Sequence, residues 1–254
     1  MRLADSTGTA RSGLLWFQVS DSTTPPVLGA VAQPATVLAH FDNVSASVTP
    51  TEFARASLLR STKHQEAFLA AHLLVRLVAA QRFGTSVADL AVEQACGQCG
   101  AAGHGRPTLQ STSPLDPDWT VSFSHAADYV AAVAATGPVG VDIEDGACRV
   151  PLIQSVLSAG EREGLVAAED PDFSALELWT RKEAMVKLGV LELDGFGSID
   201  ARGDTATVVG GPAVSLLSLR TKDWVVSVAR LAGVGKQPLT LICPENHTLP
   251  ATEI

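Results

Sequence analysis

Apolar and polar positions fall into distinct rhythms along this chain. From Glu66 to Phe83 the period is helical: Phe68, Val75 and Ala79 share one face, Leu69, Leu73 and Val78 lie beside them, and Gly84 stands where such a helix would stop. His72 falls on that apolar face and reads as a packed core histidine with one nitrogen satisfied. Upstream, Ser47-Val48-Thr49-Pro50-Thr51-Glu52 has the signature of a helix start, with a hydroxyl cap, a first-turn proline and an early glutamate. Leu14 to Val19 and Val37 to Phe41 read as short strands, with a turn or linker at Pro25-Pro26. Cys96 to Pro107 reads as a Gly-rich loop. Thr120 to Ser124 and Tyr129 to Ala135 read as strands around a His-containing turn. Beyond the linker Thr136-Gly137-Pro138 come a strand from Val139 to Glu144, helical stretches near 150–169 and 173–189, and strands near 206–219 and 223–231. That linker parts the chain into 1–136 and 137–254, and 254 residues suit either one large domain or two small packed halves.

Composition narrows what those halves can do. With 254 residues, 46% of them apolar, the chain can bury a sizeable core, and few aromatics mean that the core is aliphatic. A net charge of -9 argues against a broad nucleic-acid-binding face. No run approaches the ~20 apolar residues of a membrane span, and Leu14 to Phe17 is too short for an export core. Four cysteines, Cys96, Cys99, Cys148 and Cys243, do not make a secreted disulfide scaffold. A soluble protein of the reducing cytoplasm is expected.

Four segments carry candidate chemistry. In the strand Val139 to Glu144, alternation turns Asp142 and Glu144 to one side and Val141 and Ile143 to the other. Two carboxylates side by side on a strand suit a hard cation such as magnesium; an edge strand with a solvated face is the plain structural alternative. In Trp179-Thr180-Arg181-Lys182-Glu183-Ala184-Met185-Val186-Lys187, Glu183 falls inside an apolar arc defined by Leu176, Trp179, Val186 and Val190. A carboxylate there needs a positive partner. A metal shared with Asp142 and Glu144 would serve, and so would an ion pair with Lys187, one helical turn away. Ser124 and His125 are sequence neighbours on a strand and face opposite sides, so they suit phosphate contacts better than a nucleophile and its base. In Gly105-Arg106-Pro107 a stiff turn would project Arg106 as phosphate recognition requires.

Taken in order, these segments resemble the 4'-phosphopantetheinyl transferase superfamily. Its hallmark is G-[VI]-D-x-E followed some forty residues later by [FW]-[CST]-x-K-E-[AS]-x-x-K, read here as Gly140 to Glu144 and Trp179 to Lys187. The Gly-Arg-Pro loop and the Ser-His pair place the resemblance with the larger, surfactin-synthetase type, over roughly residues 50–230. Relatives often carry Phe-Asn where this chain has Val121-Ser122, and Ser or Thr where it has Ala126.

The resemblance implies a monomer of two similar α+β halves, related by a pseudo-twofold axis with the active site between them. It implies that Asp142, Glu144 and Glu183 bind Mg2+ with the diphosphate of coenzyme A. Lys187 would contact that diphosphate, and Arg106, Ser124 and His125 would hold the 3'-phosphoadenosine end, with Arg60 and Lys63 as further ligands of the 3'-phosphate. Glu183, Lys187 and His125 form the implied catalytic set. Coenzyme A is the implied co-substrate and an apo acyl or peptidyl carrier protein the implied partner.

Two other readings stay open on the sequence. Cys96-x-x-Cys99 with His104 could supply three ligands of a zinc-ribbon binding module, with Cys148 a distant fourth. The acidic cluster could instead serve another magnesium-dependent phosphotransferase or nuclease, against which stand the net charge and the lack of a Walker-type loop.

Overall fold

The computed structural model describes residues 13–20, 25–95, 100, 102–150, 155–233 and 239–242. They divide into two compact units. One contains 13–19, 26–138 and 241–242; the other contains Ser20, Pro25, 139–233 and 239–240. Both are mixed helix and sheet, so the α+β class holds.

In the first unit, strands β1 (Leu15–Ser20), β2 (Val27–Ala32), β5 (Trp119–His125), β6 (Val130–Thr136) and β11 (Thr240–Ile242) form one sheet in the order β11-β1-β2-β6-β5. The pairs β1–β2, β2–β6 and β5–β6 are antiparallel. A 22-residue helix, α4 (Thr62–Phe83), packs on β6, β5 and β2. Ser61 caps its first turn, and Gly84 closes it with φ 68°, a left-handed conformation that glycine adopts without strain. Between Ala67 and Ala80 every residue except Leu69 is buried. Its many alanines, facing the Val-Ala run of β6, allow close backbone approach. The hydrophobic core that results is largely aliphatic, each fully buried Leu or Val contributing roughly 1.5–3 kcal/mol.

Polar groups inside this unit are paired. After a four-residue helix, α2 (Val44–Ser47), the expected helix start resolves to Thr49, which forms a capping box with Glu52 at the head of α3 (Pro50–Ser57). Glu52 is itself buried and accepts two hydrogen bonds from Arg76, at 3.0 and 2.8 Å. His72 donates from Nδ1 to the Phe68 carbonyl at 2.9 Å, packs on the Phe68 and Phe123 rings, and is held below the usual histidine range chiefly by burial. It is the core histidine that the helical pattern describes.

The second unit has a four-stranded antiparallel sheet in the order β7-β10-β9-β8, made of β7 (Val139–Asp145), β8 (Thr205–Thr207), β9 (Ala213–Arg220) and β10 (Trp224–Leu231). Helix α6 (Pro171–Leu188) lies on β7 and β10, and a shorter helix, α5 (Ala159–Val166), packs beside it. Asp170 caps α6 and Gly189, with φ 84°, ends it.

Several expected elements come out differently. Val37 to Phe41 is not a strand: Pro34 opens a short helix, α1 (Pro34–Leu38), and the turn continues through Ala39 N to Ala35 O at 3.1 Å, burying Val37 in the core. The residues 102–107 are not loop. They begin β4 (Ala102–Ser111), which pairs with β3 (Leu90–Ala95) and is distorted near Gly103 and Gly105, at φ 85° and 99°. Among the described residues of the span 150–169, the helix is Ala159–Val166, starting at its cap Ser158, which is boxed with Glu161. The strand expected over 206–219 is two strands, β8 and β9, parted by a turn at Gly210 with φ 71°. Among the described residues no helix is long and apolar enough to cross a membrane.

Candidate functional site

Strand β7 and helix α6 meet at unusually close range. A Cβ built on Gly140 would lie 2.0 Å from the Ala184 carbonyl oxygen, so only glycine lets the helix backbone rest on the strand here. Alternation then turns Asp142 and Glu144 to the same helix-covered side as Gly140. Cross-strand pairing extends that side in rows: Gly140 with Ala229 and Leu216, Asp142 with Ser227 and Ser218, Glu144 with Val225 and Arg220. The carboxylates therefore do not line a solvated edge. Asp142 is 5% exposed, and Glu144 is partly buried.

Helix α6 brings a third carboxylate and a cation to this face. Lys187 Nζ lies 2.7 Å from Asp142 Oδ1, reaching from the last turn of α6 to β7. Glu183 is partly buried one turn earlier. Burial first, and then the Asp142 charge, holds the Glu183 carboxyl above the usual range, opposed by Lys187. Glu144 is pushed up to about 7, first by burial and then by Asp142, against a hydrogen bond from Trp179 and the Lys187 charge. Three carboxylates thus share one positive side chain, and two of them are held toward the protonated form.

Among the described residues no three carboxylate, thiol or imidazole groups converge closely enough to hold a metal ion as they stand. The donor set nevertheless fits a hard cation. All three groups offer oxygen, and Glu144 and Glu183 are raised first by burial and then by the Asp142 charge, which a divalent ion would offset.

The apolar arc expected on α6 is only partly right. Leu176 is buried, but Trp179, Val186 and Val190 are partly exposed, whereas Arg181 and Lys182 are buried at 9% and 0% exposure. Lys182 Nζ lies 2.6 Å from Glu161 Oε2, itself fully buried, and donates to the carbonyls of Val156 and Phe196 at 2.8 and 2.7 Å. Arg181 donates to the carbonyls of Ala201, Arg202 and Gly203 and to Glu177. Sequence reasoning missed both residues. The Ser158-x-x-Glu161 capping box is legible as a spacing, but the burial of Glu161 against Lys182 is decided by tertiary contact.

The residues assigned by resemblance to the adenosine end all lie in the first unit. Ser124 and His125 close β5, with Ser124 buried, His125 exposed, and the His125 ring edge-on to Phe68 at 6.3 Å. Lys63, in the first turn of α4, pairs at 2.7 Å with Asp128 in the turn that follows β5, so Lys63 and the Ser-His pair share one end of the unit. Both partners of that pair are more than half exposed, and it contributes little to stability. Arg106 is exposed on β4, and Arg60 is exposed in the connection between α3 and α4. Cys96, Cys99 and Cys243 lie outside the described residues, as does the side chain of His104, so the zinc reading falls there too. Cys148 follows β7 and is partly buried; burial and the neighbouring Glu144 raise its thiol above the usual range.

Comparison with known proteins points to the stretch that contains β7 and α6. Residues 138–241 match the model of the 4'-phosphopantetheinyl transferase superfamily. The chain is also similar to a Bacillus pumilus protein named 4'-phosphopantetheinyl transferase psf-1, 30% identical over 89 residues. That match covers 34% of this chain and 36% of the relative, so it spans little more than a third of the relative's length.

Proposed function

We propose that this chain, a member of the 4'-phosphopantetheinyl transferase superfamily through residues 138–241, moves the phosphopantetheine arm of coenzyme A onto a serine of an apo acyl or peptidyl carrier protein. The observation that carries this reading is the grouping of Asp142, Glu144, Glu183 and Lys187 on the facing sides of β7 and α6, with two carboxyls raised by burial and by Asp142. Asp142, Glu144 and Glu183 are the residues that would hold Mg2+. A bound Mg2+ would neutralise the diphosphate of coenzyme A and stabilise its leaving oxygens.

The chain's own residues divide the remaining work. Lys187 adds positive charge toward the same oxygens as negative charge develops on them. Glu183, whose proton affinity is already raised, accepts the proton of the carrier serine, directly or through a water. The serine oxygen forms a bond to the phosphorus that carries pantetheine, the bond to the bridging oxygen breaks, and 3',5'-adenosine bisphosphate leaves. Arg60, Lys63, Arg106, Ser124 and His125 are assigned to the adenosine end, where donors are needed and no bond changes. In this reading the protein acts as a monomer in the cytoplasm.

The test is product release. With an apo carrier and Mg2+, 3',5'-adenosine bisphosphate should appear one-for-one with carrier modified. Release that ignores the carrier, or that persists in chelator, contradicts the reading.

A further inference from the structure

The row of the sheet beneath α6 that holds Asp142 continues into hydroxyls. Ser227 is the cross-strand partner of Asp142, and Ser218 is the partner of Ser227. Ser227 and Thr180 are fully buried, Ser218 is 4% exposed, and each hydroxyl lies within hydrogen-bond distance of the next: Ser218 to Ser227 at 2.9 Å, Ser227 to Thr180 at 2.8 Å.

The two ends fix the direction of this chain. Arg181 Nε can only donate, and it donates to Ser218 Oγ at 2.8 Å. The Glu177 carbonyl can only accept, and it accepts from Thr180 Oγ1 at 3.0 Å. Each hydroxyl has one proton to give. The order is therefore Arg181 to Ser218 to Ser227 to Thr180 to the Glu177 carbonyl. Both ends meet at Glu177, whose carbonyl accepts from Thr180 and whose Oε1 accepts from Arg181 at 2.9 Å. Removing one link leaves a buried donor or acceptor unmatched on either side.

The chain pins the middle of α6 to β10 and β9 at one axial and rotational setting. Glu183 follows Thr180 by three residues and Lys187 by seven, so both ride on that setting, while Asp142 sits in the same sheet row as the anchor. A helix free to shift by one residue would move about 1.5 Å and turn about 100°, enough to separate Lys187 and Glu183 from β7.

We infer that Ser227, at the centre of this hydroxyl chain, is a positioning residue that sets the register of α6 against β7 and so the arrangement of Asp142, Glu183 and Lys187 as a cation and diphosphate site. The inference rests on the proposed function for what the site does, and on the hydrogen bonds for how it is held.

The test compares Ser227→Ala with Val226→Ala in the full chain. Val226 is one residue along β10, on the opposite side of the sheet, and fully buried, so its truncation costs packing without touching the chain. Half-saturating Mg2+ is read twice: from the rise in melting temperature without coenzyme A, and from transfer to an apo carrier. Ser227→Ala should raise both by about tenfold, the effect of one buried hydrogen bond at the site. Ser227→Cys, which keeps a weak donor and acceptor at similar volume, should recover most of that loss. Val226→Ala should melt lower with both readings unchanged. Should Ser227→Ala fail to fold, Ser218→Ala opens the chain one link earlier and is read the same way.

A wild-type Mg2+ response in Ser227→Ala, or an equal shift in Val226→Ala, overturns the inference. So does wild-type protein whose melting temperature ignores Mg2+. If wild-type protein transfers nothing yet responds to Mg2+, the reading of the reaction fails, and the melting data alone decide the role of Ser227.

Discussion

Lys187 Nζ lies 2.7 Å from Asp142 Oδ1, a link from the last turn of α6 to the middle of β7 in which the lysine side chain is 29% exposed and the aspartate 7%. The pair lies between a surface ion pair and a buried one. Without metal, Lys187→Met should cost about 1–3 kcal/mol, between the values for exposed and buried pairs. Added Mg2+ should recover more stability in this variant than in wild type, because Asp142, Glu144 and Glu183 have then lost their positive side chain. Denaturant unfolding in chelator and in Mg2+ measures both. Equal stability in chelator would show that the pair has no role in holding the site.

The raised carboxyl of Glu144 gives a pH dependence of known sign. Its folded value is about 7, against 4.5 when unperturbed. Between those values the folded protein keeps a proton that the unfolded chain has released, so stability falls as pH rises from about 4.5 to about 7. Glu183, shifted the same way, adds to the trend. Melting temperatures across that window in chelator should decline, less steeply for Glu144→Gln, and saturating Mg2+ should flatten the wild-type curve. Parallel curves for wild type and Glu144→Gln would contradict the assignment.

Glu183 and Lys182 are adjacent in sequence and should behave oppositely. Glu183→Gln removes a partly buried charge, so stability should hold or rise while transfer is lost. Lys182→Met strands the fully buried Glu161 carboxylate and should cost about 3–5 kcal/mol. Adding Glu161→Gln should return much of that, since a neutral pair is tolerated where half an ion pair is not. Unfolding curves and transfer assays on the three variants check this. A Glu183→Gln enzyme with full activity would return Glu183 to a structural role.

Much of this arrangement is legible in the sequence where a local rule governs it. The Thr49–Glu52 capping box, the stop at Gly84 and the alternation of β7 follow from spacing alone. What escapes are features decided by tertiary contact. No strand is read from the sequence at Val27 to Ala32, yet it is the centre of a sheet, and Gly29 is there because a Cβ would lie 2.2 Å from the Phe17 ring. Val37 to Phe41 has strand-like residues, but Pro34 and the packing of Val37 make a helix. The burial of Arg181 and Lys182 depends on carbonyls of 156, 196 and 201–203, which no helical period reveals. The same holds for the partner that Asp142 finds in Lys187.

The most direct test of the central claim is the mass of the carrier. A panel of apo acyl and peptidyl carrier proteins, incubated with this protein, coenzyme A and Mg2+, should include carriers that gain the mass of one phosphopantetheine at their serine. Chelator or Asp142→Ala should abolish the gain while the protein stays folded. No gain on any carrier, or an undiminished gain from Asp142→Ala, would contradict the account.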